Sequence, residues 1–248
     1  MARNYDIDLE TLPPFITPVT SSHEREQAER TAQSYLKELE NRIKHGIGNA
    51  TELDRMSIEA AVACDVIKQK WRKNRPVTVK FWRDLGEAAL LAVLNPGRSF
   101  HVNDRIGYCV QGQFLLCRLP SGRVIFYYKP SIKKVTKFGK QQDVLHYWGM
   151  KALDGGGQKY QQVQTYGPKL AENVTQAACA CLLRAAMLRV EAAGYPVALH
   201  VHDEVVAQRL EGEGDLEEFN SIMAEVPAWA EGLPLGAAGW VGKRYRKD

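Results

Sequence analysis

One stretch constrains this chain more than any other: Tyr195-Pro-Val-Ala-Leu-His-Val-His-Asp-Glu-Val-Val-Ala-Gln208. Val197, Leu199 and Val201 recur at every second position, the signal of a half-buried strand. His202, Asp203 and Glu204 interrupt the alternation, and a second β-rich run starts at Val205 and Val206. The simplest geometry is a hairpin whose tight connection carries His202, Asp203 and Glu204. Two adjacent carboxylates in an apolar setting are costly to desolvate unless a cation or hydrogen-bond donors compensate them. A turn between two strands holds them rigidly and leaves one side open. That suits Mg2+, which takes one or two carboxylates and leaves its other positions to water and substrate phosphate. A solvated polar turn is the other reading of the same triplet.

The rest of the composition sets bounds. A length of 248 residues gives one large domain or two small ones. Hydrophobic residues at 45% and charged residues at 25% are ordinary for a globular chain. A net charge of +4 and a pI near 8.7 permit a polyanionic partner without demanding one. The five cysteines form no C-x-x-C pair, so neither a zinc site nor a redox motif is indicated. They read as reduced thiols of a cytosolic chain. The polar, acidic first residues do not make a signal peptide, and no apolar run approaches the roughly 20 residues a membrane span needs. The expectation is a cytoplasmic protein with no membrane partner.

Taken in order, residues 1–20 are irregular, since Pro13, Pro14 and Pro18 forbid a continuous helix. Ser21 and Ser22 offer an N-cap, with acids following, for a helix to about Ile43 that turns Ala28, Ala32, Tyr35, Leu36 and Leu39 to one face. A second helix fits Glu52 to Lys73, with Met56, Ala60, Ala63, Ile67 and Trp71 at helical spacing. Pro76 sits at a good first position before a third helix over Val79 to Leu94. Phe81, Trp82, Leu85 and Leu91 on it read as core. From Ser99 to Tyr128 the period becomes that of strands, with Pro120-Ser-Gly122 as a turn flanked by Arg118 and Arg123. Lys129 to Lys140 holds five lysines and reads as a basic, turn-rich loop, either simply solvated or tracking a phosphate backbone. Leu145 to Met150 is a short β-like run, and an Ala-rich helix follows over Lys169 to Ala193. After the hairpin, Asp215 to Glu225 fits a helix and Leu233 to Tyr245 an edge strand.

The Ala-rich helix led by Gln176, the short Gly-Tyr-Pro connection and Val-His-Asp-Glu204 together resemble the C-terminal palm region of family A (polymerase I type) DNA polymerases, most of all the bacteriophage-like members. Phe81-Trp-Arg-Asp-Leu-Gly-Glu-Ala-Ala89, Cys117-Arg-Leu-Pro-Ser-Gly-Arg123, Thr165-Tyr-Gly-Pro-Lys-Leu-Ala-Glu-Asn173 and Gly239-Trp-Val-Gly-Lys-Arg-Tyr-Arg246 agree with that subgroup. The resemblance runs from about Phe81 to the end, and more faintly from Met1.

This resemblance implies an α+β fold: a palm-type antiparallel sheet with packed helices at 99–248, preceded by a helical segment at 1–98 left over from the fingers. It implies template-directed nucleotidyl transfer to a primer 3′-hydroxyl from dNTPs, with two Mg2+ ions about 4 Å apart bridged by carboxylates. Asp203 matches one ligand, Glu204 supports the site, and His202 shapes the turn. Gln176 and Lys169 on the Ala-rich helix, with Arg118 and Arg123, match positions that approach primer–template DNA. The second essential carboxylate belongs to an Asp-Tyr-Ser-type strand that this sequence lacks, and the triphosphate-gripping helix is also missing. The domain is therefore read as incomplete, active with a complementing N-terminal polypeptide and inactive alone. A non-catalytic DNA-binding remnant is the alternative. A nuclease or phosphatase using Asp203, Glu204 and His200 would need a further Asp/His cluster that the sequence does not offer.

Overall fold

The computed structural model describes residues 21–44, 58–137, 140–153 and 156–245. The readings made above for residues 1–20 and 52–57 lie outside the described residues. The chain divides into two compact units, one formed by Met1–Lys80 with Lys151–Lys159 and the other by Phe81–Met150 with Tyr160–Asp248. Among the described residues no helix is long and apolar enough to cross a membrane.

The first unit contains two helices, α1 (Ser22–Lys44) and α2 (Ile58–Lys73). Ser21 and Glu24 close the start of α1 reciprocally: the Glu24 N–H donates to Ser21 Oγ (3.2 Å), and the Ser21 N–H donates to Glu24 Oε2 (3.1 Å). This capping box satisfies two orphan donors and holds the Glu24 carboxyl below its ordinary value. Ala28 and Ala32 of α1 and Ala63 and Val66 of α2 are buried. Glu24, at the start of α1, meets Lys73, at the end of α2, at 3.9 Å, so the two helices run antiparallel. The expected stripe is narrower than the sequence suggested. Tyr35, Ile67 and Trp71 are each more than two-fifths exposed, because small alanines at the crossing let the helices approach without the larger side chains between them.

The second unit is built on a six-stranded sheet in chain order: β1 (Ser99–Val102), β2 (Ile106–Gln111), β3 (Phe114–Arg118), β4 (Val124–Lys137), β5 (Lys140–Ala152) and β6 (Gln158–Thr165). One face of this sheet carries Tyr108, Leu115, Cys117, Tyr127 and Leu145 into the core. Two helices complete that core: α3 (Pro76–Leu94) through Leu85, Ala88, Ala89 and Ala92, and α4 (Gly167–Ala192) through Leu170, Ala171 and Val174. Pro76 opens α3, as its fixed φ and missing N–H favour. The antiparallel sheet with packed helices makes the fold α+β. Leu91, expected in the core, is instead 36% exposed.

Two sequence readings are corrected. Residues 129–137 are not a basic loop: β4 runs through them and pairs with β5. Lysines there are interleaved with Ile132, Val135 and Thr136, so the alternation of a strand is present beneath the charge. Pro130 concealed it. It falls where the register shifts between Tyr128 and Ser131, next to Lys129 at φ +46, a bulge that spares the ladder its missing donor. The short run at Leu145–Met150 is correspondingly part of the 13-residue β5. Secondly, residues 233–245 form no strand. Pro234 and glycines 236, 239 and 242 break the pattern, and a Cβ at Gly239 would sit 3.1 Å from Leu216 and 3.0 Å from Asn220, so the tail lies against the helix that begins at Leu216.

Burial sets the chemistry of the thiols. Cys117 is fully buried, and burial pushes its thiol from 9.0 up to about 11. Cys64 and Cys179 are exposed. In the native chain a disulfide reagent at pH 8 is expected to modify Cys179 first, Cys64 more slowly because desolvation pushes its thiol up, and Cys117 only after denaturation, with modified peptides read by mass spectrometry. Because the folded state favours the protonated thiol, the associated stability is complete below pH 9 and lost as pH rises toward 11.

Candidate active site

The hairpin read from the sequence forms. β7 (Val197–Val201) and β8 (Glu204–Ala207) pair antiparallel with Val201 opposite Glu204 and His200 opposite Val205. His202 and Asp203 are the two connecting residues. Two-residue connections that match the twist of a hairpin need a positive φ at their first position, usually met by Gly. Here His202 adopts φ +53. A non-glycine residue in that region is strained, and such strain collects at functional turns. β7 and β8 form a sheet of their own, not hydrogen-bonded to the six-stranded one.

Tyr195 anchors the base of the hairpin. It is 5% exposed, its N–H donates to the Val190 carbonyl at the end of α4 (2.9 Å), and its ring stacks edge-on with Phe219 at 5.3 Å. Its hydroxyl donates to Glu218, which pushes its ionisation up, and accepts from the Asp215 N–H at 3.0 Å. Asp215 in turn caps α5 (Leu216–Ala224) through the Glu217 and Glu218 amides. Arg209 lies over the Tyr195 ring at 5.0 Å. Arg189 of α4 donates to the Ile222 and Glu225 carbonyls. The hairpin therefore projects from a rigid base of α4, Tyr195 and α5.

At its tip Asp203 and Glu204 are both exposed. Asp203 has no hydrogen bond or ion pair among the described residues. Glu204 accepts from the Tyr245 hydroxyl at 2.7 Å, which pushes the phenol's ionisation up. Tyr245 was not singled out from the sequence as a neighbour of this site, although it lies in the Gly239–Arg246 match. His200 sits one register step away from the Val201–Glu204 pair, so it projects to the opposite face of the hairpin from Glu204. Among the described residues no group of three His, Cys, Asp or Glu is placed to hold a metal. Asp203 and Glu204 fit one side of a Mg2+ site, since that ion needs only one or two protein carboxylates. They do not make a whole site alone.

The candidate DNA-binding residues fall on neighbouring elements. Arg118 ends β3, and Arg123 closes the β3–β4 turn through Leu119 N–H to Arg123 carbonyl (2.8 Å). Both are exposed. Ser121 in that turn donates to Cys181 Sγ of α4 at 3.2 Å, and Asn173 of α4 donates to the Tyr127 hydroxyl at 3.1 Å. The structure thus brings the arginine turn against α4. Lys169 and Gln176 lie on an exposed face of α4, and both bind Glu172: the ammonium at 2.8 Å, with its ionisation pushed up by that bond, and the Gln176 amide at 3.5 Å. A phosphate approaching Lys169 would compete with this carboxylate.

Because His202 carries the strain of the turn, His202→Gly should keep stability within about 1 kcal/mol of the parent, with strain relief opposing the added unfolded-state entropy. Urea denaturation measures this. A larger loss would mean that the imidazole makes a contact the fold requires.

The chain is 36% identical over 178 residues to a protein of Bacillus phage SP02 named DNA polymerase. The match covers 72% of this chain and 26% of that protein, so the chain spans about a quarter of the length of this relative. No family model matches the chain. No solved structure matches it either.

Proposed function

We propose that this chain is the part of a template-directed DNA polymerase of the polymerase I type that carries one catalytic carboxylate and a wall of the primer–template channel. The observation that carries this reading is the likeness, over most of the chain, to a phage DNA polymerase. The hairpin supports it, presenting two acids at the tip of a strained turn on a rigid base. In this reading 99–248 is the palm portion and 1–98 the remainder of the fingers.

Asp203 and Glu204 would hold Mg2+ together with a carboxylate from polypeptide beyond these 248 residues, on the same or a second chain. Bound Mg2+ supplies neutralisation of the charge that develops at the α-phosphate and makes a primer hydroxyl more acidic. Asp203, exposed and without a partner among the described residues, offers its oxygens outward. Tyr245 fixes the orientation of Glu204 through its hydroxyl. Arg118 and Arg123 hold phosphates of the duplex, Lys169 joins them on exchanging Glu172 for phosphate, and Gln176 contacts the duplex near the primer end.

The test is extension of a primed template with Mg2+ and dNTPs by this chain combined with the polypeptide encoded immediately upstream. Extension that requires both supports the reading. Salt-sensitive duplex binding without any extension would leave a DNA-binding remnant and overturn the catalytic assignment.

A further inference from the structure

The six-stranded sheet has a second face that the core does not use. Leu115, Cys117 and Tyr127 point to the helices, so alternation turns Phe114, Phe126 and Tyr128 the other way. Trp148, in register with Tyr128, joins them, and its ring lies 5.7 Å from that of Tyr160 on β6. These rings stay accessible: Phe126 is 62% exposed, Tyr160 51%, Trp148 39% and Phe114 38%. They are also organised. Phe114 stands edge-on to Phe126 at 5.9 Å and tilted to Tyr128 at 5.3 Å.

The charge around this face identifies what would cover it. Of the charged groups on the six strands, alternation puts the one carboxylate, Asp143, on the helix side with Leu145, and Lys133 on this face with Trp148. Lys129 holds its ammonium 5.3 Å from the centre of the Tyr128 ring, and Arg118 shares the face with Phe114 through its place on β3. A protein partner does not fit well, since buried interface centres are depleted in lysine. Flat aromatic rings with flanking cations and almost no acids match a strand of unpaired nucleic acid, whose bases stack while its phosphates meet the cations.

We propose that this sheet face is a stacking platform for single-stranded nucleic acid, with bases laid across Phe126, Tyr128 and Trp148 and the backbone held by Lys129 and Lys133. The platform stands apart from the carboxylate hairpin; that the strand is DNA rests on the polymerase reading. Aromatic rings stack any base, so binding is sequence-tolerant.

The experiment is fluorescence anisotropy of labelled oligo(dT) of about 20 nucleotides titrated with the 248-residue chain, with oligo(rU) and a hairpin duplex as competitors. Phe126→Ala and Trp148→Ala are each expected to weaken binding about tenfold or more, and Phe126→Tyr to restore it. Both positions are exposed, and unchanged thermal melting confirms that the variants fold. Binding of rU that depends on the same rings would support the platform while removing the argument for DNA. Parent-like affinity of both folded alanine variants, or duplex binding that the same variants weaken as much as they weaken oligo(dT) binding, would overturn it. So would a dimer in gel filtration that Phe126→Ala dissociates while oligo(dT) binding stays unchanged, since the face would then join two copies of the chain.

Discussion

Asp203→Ala is expected, on the proposed reading, to lower primer extension by the chain combined with a complementing polypeptide about a thousandfold or more, while leaving the melting temperature of the chain unchanged. The size follows from removing one proposed ligand of an ion that contributes several kcal/mol of transition-state stabilisation, each 1.4 kcal/mol being about tenfold in rate. The absence of a folding effect follows from geometry. Asp203 is exposed at a two-residue connection and has no hydrogen bond or ion pair among the described residues. Glu204→Gln should lose less activity, because the neutral amide still accepts from Tyr245 and Asp203 remains. Single-turnover extension with a labelled primer, alongside thermal melts, measures both variants. Extension by Asp203→Ala within tenfold of the parent would remove the residue from the catalytic set.

Gly167→Ala should destabilise the chain by about 3 kcal/mol or more, the largest stability loss expected from adding a single methyl group. Gly167 starts α4 where it crosses α3. A Cβ built there would overlap the Trp82 carbonyl oxygen and lie 2.7 Å from the carbonyl carbon. Backbone cannot rotate aside as a side chain does, so α4 must move and loosen the core that Leu170 and Ala171 share with Leu85. Gly86, the partner of Gly167 across this crossing, gives the contrast. Its Cβ would meet Gly167 at 3.5 Å, an ordinary contact. Gly86→Ala should therefore be neutral or stabilising by up to about 1 kcal/mol through helix propensity. Urea denaturation of both variants tests the crossing. A loss below about 1 kcal/mol for Gly167→Ala would mean that the two helices can separate without consequence.

Local chemistry made much of this legible in the sequence. Ser21 with Glu24, Pro76 and Asp215 each mark a helix start through interactions within a few residues, and only the helix read from Val79 begins earlier, at Pro76 itself. The Val-His-Asp-Glu hairpin follows from alternation and a two-residue gap. What escaped depended on partners distant in sequence. The strand at Lys129–Lys137 is stabilised by β5, and its single Pro130 reads as a turn until the bulge that accommodates it is seen. The tail at 233–245 is apolar enough for a strand but has α5 and Glu204, not another strand, to lie against. The aromatic face of the sheet was hidden for the same reason. Phe114, Phe126 and Trp148 fall in β-rich runs whose sequence does not say which side each occupies; register does. At the site, the placement of Asp203 and Glu204 was visible, while the Tyr245 contact and the Glu172 bridge between Lys169 and Gln176 needed the fold.

The chain-order arrangement of the six strands bears on how the molecule assembles. Each strand pairs with its immediate predecessor, so the entropy lost in closing each connection is small and the sheet can zip up from any hairpin. The helices that cover it come from either side in sequence: α3 precedes β1 and α4 follows β6, and Leu85 must find Leu170 across the whole intervening meander. That long closure costs more loop entropy than any single strand-to-strand connection. A nascent chain would thus display a finished sheet whose apolar core face waits for residues 167–192 to sheathe it.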